Sequence, residues 1–115
     1  MSPVAAQPLT PADAVHQSWQ NLCELTAAMR TGAAAEEWEQ VVELAGARHH
    51  AVLDHFERFP VGPETAAFYH GRLTDMLRGE QELQAIAVAA RRELMRRSVV
   101  SRQSHRAVGA YLTDR

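Results

Sequence analysis

Apolar residues return at steps of three, four and seven through most of this chain, and the steadiest run lies in its second half. Tyr69, Leu73, Met76, Leu83, Ala87, Ala90 and Leu94 form one seam, the pattern of a helix that packs on other helices. The stretch from Glu64 to Leu112 holds no proline, and its glycines are Gly71, Gly79 and Gly109. Read as one helix it would span about 73 Å at ~1.5 Å per residue. No other helix in the chain reads as much longer than half of that. Either the far end projects alone, or the chain turns back near Ser98-Val99-Val100-Ser101, where each serine is an able N-cap and the valines are mediocre helix formers.

The first half reads as two shorter helices. Thr10-Pro11-Ala12-Asp13 is a helix start: threonine as N-cap, proline at the first position, an acid in the first turn. Val15, Trp19, Leu22, Leu25 and Met29 share one face, and Thr31-Gly32 is expected to end the helix with glycine as its cap. A second helix is expected from about Ala34, with Glu36, Glu37 and Glu39 crowding its start, where the dipole favours acids. Its stripe is Trp38, Val41, Val42, Ala45, Val52, Phe56 and Phe59. It stops before Pro60-Val61-Gly62-Pro63, the clearest loop in the chain, and Pro63-Glu64 opens the third helix. Gly79 marks close packing or a weak point within it. Ala107, Val108, Tyr111 and Leu112 supply an apolar patch for a short last helix. Short loops between helices make antiparallel neighbours. The expected fold is therefore all-α: an antiparallel helical bundle of three long helices plus a short C-terminal helix. Residues 1–9 are expected to be a disordered lead-in and 10–115 a single helical domain.

Composition agrees with this class. The 115 residues are 46% apolar, and aromatic residues make up only 6%, so the core relies on a few large side chains. The formal net charge is −2, which gives no global pull toward nucleic acid or an anionic membrane. Every cation is arginine. The single Cys23 excludes an intramolecular disulfide and an all-cysteine metal site. No apolar run approaches the ~20 residues of a membrane span. Met1-Ser2-Pro3-Val4 lacks the start of a signal peptide, so a cytoplasmic location is expected.

Candidate chemistry is sparse. His49, His50, Asp54 and His55 sit close in sequence, and His50 and Asp54 share a helix face at a spacing that metals use. A third ligand would have to come from His16 or His70, and no His-Glu-x-x-His is present. These histidines read as surface or half-buried residues, and neither metal nor cofactor is expected. Arg91, Arg92, Arg96, Arg97, Arg102 and Arg106 form a basic stripe broken by one acid, Glu93. That stripe could meet phosphates or an acidic protein, pair with the acidic second helix, or stay solvated. There is no phosphate loop and no nucleophile elbow, so no enzyme is expected. The remaining candidate is a helix-binding groove. If the last helix is loosely held, lifting it would uncover Leu73, Met76, Leu77 and Leu83 for an amphipathic partner helix, with Met76 lending adaptability. The same four residues serve equally well as ordinary core.

A family resemblance gives these readings a direction. Glu37-Trp38-Glu39-Gln40-Val41-Val42-Glu43-Leu44 resembles the Gly-Glu-Trp-Asp stretch of the FliT family of flagellar type III export chaperones. The run from Leu73 to Leu83 resembles that family's Ile-x-x-x-Leu-x-x-(Asp/Asn)-Glu-x-x-Leu pattern. Arg92-Glu93-Leu94 and Ala107-Val108-Gly109-Ala110-Tyr111 resemble the end of its helical region. The likeness covers about Val15 to Leu112 in order. It implies a non-enzymatic chaperone that binds the C-terminal segment of the flagellar filament cap protein, FliD, and delivers it to the flagellar export apparatus. A flagellar transcription regulator is a further implied partner. The resemblance also implies a last helix that covers the binding cleft and must move, with Val108, Tyr111 and Leu112 as its cover residues. Gly79 departs from the family's Asp or Asn, and the chain stops soon after Tyr111. A homo-oligomer remains open, as does the alternative of an adaptor that uses the Arg91–Arg106 stripe.

Overall fold

The computed structural model describes residues 10–113, and side chains within that range except those of residues 104, 105, 107, 108 and 110–113. The lead-in assigned to residues 1–9 lies outside the described residues. Four helices follow in order: α1 (Pro11–Ala34), α2 (Trp38–Arg58), the four-residue α3 (Ala66–Tyr69) and α4 (Arg72–Thr113). The architecture is all-α, with three long helices and one short.

The start of α1 forms as its sequence dictates. Thr10 accepts the Asp13 backbone N–H at 3.1 Å, and its hydroxyl donates to the Asp13 carboxylate at 2.7 Å. The helix then passes through Gly32, where termination was expected, and runs on to Ala34. Gly32 serves packing instead. A Cβ on it would lie 3.0 Å from Cγ2 of Val41, which is itself fully buried. The cap is built three to five residues later. The Glu36 N–H donates to the Ala33 carbonyl and the Glu37 N–H to the Gly32 carbonyl, at 3.1 and 2.9 Å. This is a Schellman closure, and Glu36 takes its left-handed position with φ of 57°.

Contacts between the helices fix their directions. Ser18 meets His55, Thr26 meets Arg48, and Gly32 meets Val41, so α2 runs antiparallel to α1. Arg48 also meets Glu80 of α4, and His55 meets Tyr69 of α3, so the chain from α3 into α4 runs back along α2. The core is the seam of each helix: Val15, Leu22 and Met29 from α1, Val41 from α2, then Tyr69, Leu83, Ala87 and Ala90. The stripe read for α2 is otherwise half-buried.

Two features of the second half differ from the sequence reading. The helix expected from Pro63 is split. Thr65 closes the loop by donating to the Pro60 carbonyl at 2.8 Å. The chain then makes α3, breaks at His70-Gly71, and restarts. Gly71 has φ of 79°, a conformation open to glycine at little cost. The second difference is at the far end. No turn occurs at Ser98–Ser101, because α4 continues through them to Thr113. The short helix is thus α3 in mid-chain, not a separate C-terminal helix. Val108, Tyr111 and Leu112 lie on the last turns of α4, and their side chains are outside the described residues.

The buried knot that joins α1, α2 and α3 is polar. His55 is fully buried, not a surface or half-buried histidine, and rings of Trp19, Phe56, Phe59 and Tyr69 surround it. The Tyr69 hydroxyl donates to the Phe59 carbonyl at 2.5 Å. Its oxygen therefore accepts Nε2–H of His55 at 2.8 Å, which leaves Nδ1 to accept the Ser18 hydroxyl at 2.7 Å. Both ring nitrogens of His55 and both hydroxyls of this line are satisfied with the imidazole neutral. Burial, and then the Arg58 cation, hold the His55 pKa below its ordinary value, against a smaller opposing pull from Asp54.

Two outcomes are expected. Glu36→Gly removes a left-handed strain of roughly 1 kcal/mol and should raise the urea midpoint; a lowered midpoint would show that the Glu36 side chain matters more than its backbone. The second concerns pH. The unfolded chain binds the His55 proton more readily than the folded one, so its contribution is full above the ordinary histidine value and is lost as pH falls through the depressed folded value. Thermal melts should show stability dropping from pH 7.5 to 5.5, and His55→Gln should flatten that drop.

Candidate client-binding surface

The four residues read as a groove do not share one environment. Leu83 is core, at 3% exposure. Leu73 and Met76 are half-buried. Leu77 stands outward, 72% exposed. Met76 and Leu83 line the same cleft, about 290 Å³, between α1 and α4, together with Trp19, Leu22, Thr26 and Gly79. Leu73 and Leu77 do not line it. They extend the apolar surface at the start of α4.

Gly79 belongs to that cleft for a reason of space. A Cβ there would lie 3.2 Å from Nη2 of Arg30. Without it, Arg30 crosses α4 and pairs with Glu82 at 3.2 Å. Gly79 is thus a close approach and not a weak point, since α4 is unbroken around it. Arg48 closes the cleft from beneath. It is buried to 8% exposure, donates Nε–H to the Thr26 hydroxyl at 2.9 Å, and holds Glu80 with Nη1 and Nη2 at 3.3 and 3.0 Å. One guanidinium therefore ties α1, α2 and α4, a use of its planar donor fork that lysine could not match. On its other side Arg48 lines a second groove, about 400 Å³, between α2 and α4.

One hollow was not anticipated. It measures about 1010 Å³ and lies between the first turns of α1 and the 58–72 region, with Val15, His16, Phe59, Val61 and Phe68 on its walls. The Pro60–Pro63 loop is legible in sequence, but not the fact that it lies beside the start of α1. Arg58 and Arg72 stack over Phe59 and Phe68 at 5.0 and 4.2 Å, and Arg72 also bonds the Phe68 carbonyl.

The charge sets are resolved as well. The arginine stripe does not pair with the acids of α2. Glu93 takes Arg96 and Arg97 at 2.6 and 3.3 Å within α4, and the Arg96 bond holds its carboxyl below the usual range. The cross-helix pairs are Arg30–Glu82 and Arg48–Glu80. His49 and His50 are exposed, and among the described residues no group of three or more His, Cys, Asp or Glu side chains could hold a metal. No described helix is long and apolar enough to cross a membrane.

The sequence that forms these helices matches a known family. The family model described as "Flagellar protein FliT" matches residues 16–113. No curated protein and no solved structure matches the chain. The match takes in α1 from its second turn, the whole of α2 and α3, and α4 to its end, so the chain belongs to the FliT family of flagellar export chaperones.

Proposed function

We propose that the chain is an export chaperone for a FliD-like flagellar filament cap protein, and that it holds the C-terminal segment of that subunit as an amphipathic helix. The surface is the start of α4: Leu73, Met76 and Leu77, with Leu83 at its floor. The observation that carries this is the exposure of Leu77, 72%, beside two half-buried apolar neighbours and an apolar-floored cleft. Leucine left on such a surface gains roughly 1.5 to 3 kcal/mol when a partner buries it fully, and an amphipathic helix presents anchors at the matching spacing. Delivery to the flagellar export apparatus belongs to the same reading, as does a flagellar transcription regulator as a second client. The setting is the cytoplasm before export, and no catalysis is involved.

Calorimetry of the full chain against a synthetic C-terminal segment of the organism's cap protein tests the reading. Binding should carry a negative heat-capacity change, and Leu77→Asp or Met76→Glu should weaken it by about ten-fold, ~1.4 kcal/mol. A segment that does not bind removes the cap-protein reading.

The cover reading has its own test. In a continuous α4, Val108 lies about 46 Å along the helix from Leu77, so Val108, Tyr111 and Leu112 reach the cleft only if α4 breaks near Ser98–Ser101. Truncation after Arg97 should therefore leave the affinity unchanged. Tighter binding by the folded truncation would reinstate a folded-back cover.

A further inference from the structure

The far part of α4 carries a second seam, on a different side from the one that builds the core. Val88, Arg92, Met95, Val99, Arg102 and Arg106 follow steps of four, three, four, three and four. That is the spacing at which one helix offers a stripe to another. The stripe is open. Val88 is 41% exposed, Met95 68% and Val99 44%, and every described position from Met95 to Gln103 is exposed. The bundle closes before most of this stripe, because among the described residues Ala90 is the last buried position of α4 and Leu94 the last half-buried one.

The charge on the stripe decides what fits it. Residues 88–106 hold six arginines against a single glutamate. Glu93 is spent on Arg96 and Arg97, and Arg102 bonds only the Ser98 hydroxyl, at 3.2 Å. Among the described residues Arg91, Arg92, Arg102 and Arg106 have no acid partner. A second copy of this arm would set arginine against arginine, which like-charge repulsion disfavours. An anionic bilayer is a poorer match than a protein, because the described stripe offers only valine and methionine where membrane-surface helices present tryptophan, phenylalanine and leucine.

We infer that the Val88–Arg106 face of α4 is a docking stripe for an amphipathic helix with acidic flanks on a partner protein. Valine and methionine would take the apolar ridge of that helix, and the unpaired arginines its carboxylates. This surface is separate from the one proposed for the cap protein, so one chain could hold both partners at opposite ends of α4.

The test uses the full chain and two labelled helical peptides. Both carry leucine at alternating four- and three-residue steps, one flanked by glutamate and the other by lysine. The glutamate peptide should bind with a strong salt dependence, and the double variant Arg92→Glu, Arg102→Glu should weaken it at least ten-fold (about an order of magnitude). Val99→Asp should weaken it too. All three positions are exposed on a helix, and an unchanged melting curve confirms that the variants are folded. Equal binding of the lysine peptide, or no effect of the arginine reversals, would overturn the inference. So would capture by phosphatidylglycerol vesicles or duplex DNA in place of the glutamate peptide. Calorimetry of the double variant with the cap-protein segment separates the two surfaces: that affinity should be unchanged, and its loss would mean that the stripe belongs to the cap-protein site.

Discussion

One constraint shapes the molecule: a helix of 42 residues packs against helices of 24 and 21. At ~1.5 Å per residue that sets about 63 Å against roughly 36 and 32 Å. The shorter helices can bury only the first half of α4. Past Leu94 none of the other described helices lies beside it, and the molecule stretches to 76 Å along its longest axis. Its two ends consequently do different work. The near end is a wall of the bundle, with apolar residues left over at its margin. The far end is an arm whose described side chains, from Met95 to Gln103 and at Arg106, face water.

The near end is held by specificity as much as by apolar area. His55, Tyr69, Ser18 and the Phe59 carbonyl form a hydrogen-bonded line inside a ring of aromatic side chains. Such a line stabilises one arrangement over its neighbours, because any slip leaves a buried donor or acceptor unpaired. It also accounts for α3. The break at His70-Gly71 lets Tyr69 reach His55 while α4 sets off on its own axis. Arg48 plays a similar part lower down, where Thr26 and Glu80 share one guanidinium.

These locks leave the neighbouring apolar surface free of any structural duty. Leu77, Met95 and Val99 all stay open to water. Uncovered apolar side chains with charged flanks are surfaces that a partner protein can bury. The proposed binding of a client rests on surfaces of this kind.

Helical periodicity, the Thr10 cap and the proline-rich loop were enough to place three long helices and their apolar faces, while the family was legible only through the resemblance of motifs such as Glu37–Leu44 and Leu73–Leu83. These are local properties: a seam with steps of three and four needs no knowledge of its neighbour. Glycine roles were not local. Gly32 read as a cap, yet it is a point where α1 meets Val41, and the left-handed position fell to Glu36. Gly71 carried the break and passed unremarked, because glycine in a helical pattern has several uses. The buried place of His55 depended on Ser18 and Tyr69, 37 and 14 residues away. The groove residues looked equivalent on the seam, but α1 and α2 cover Leu83 and leave Leu77 bare. The Ser98–Ser101 junction looked soft because serine and valine are indifferent helix formers, and indifference is not a stop signal. The sequence by itself determined which faces are apolar; tertiary packing decided which of them stay exposed, because exposure depends on where the shorter helices end.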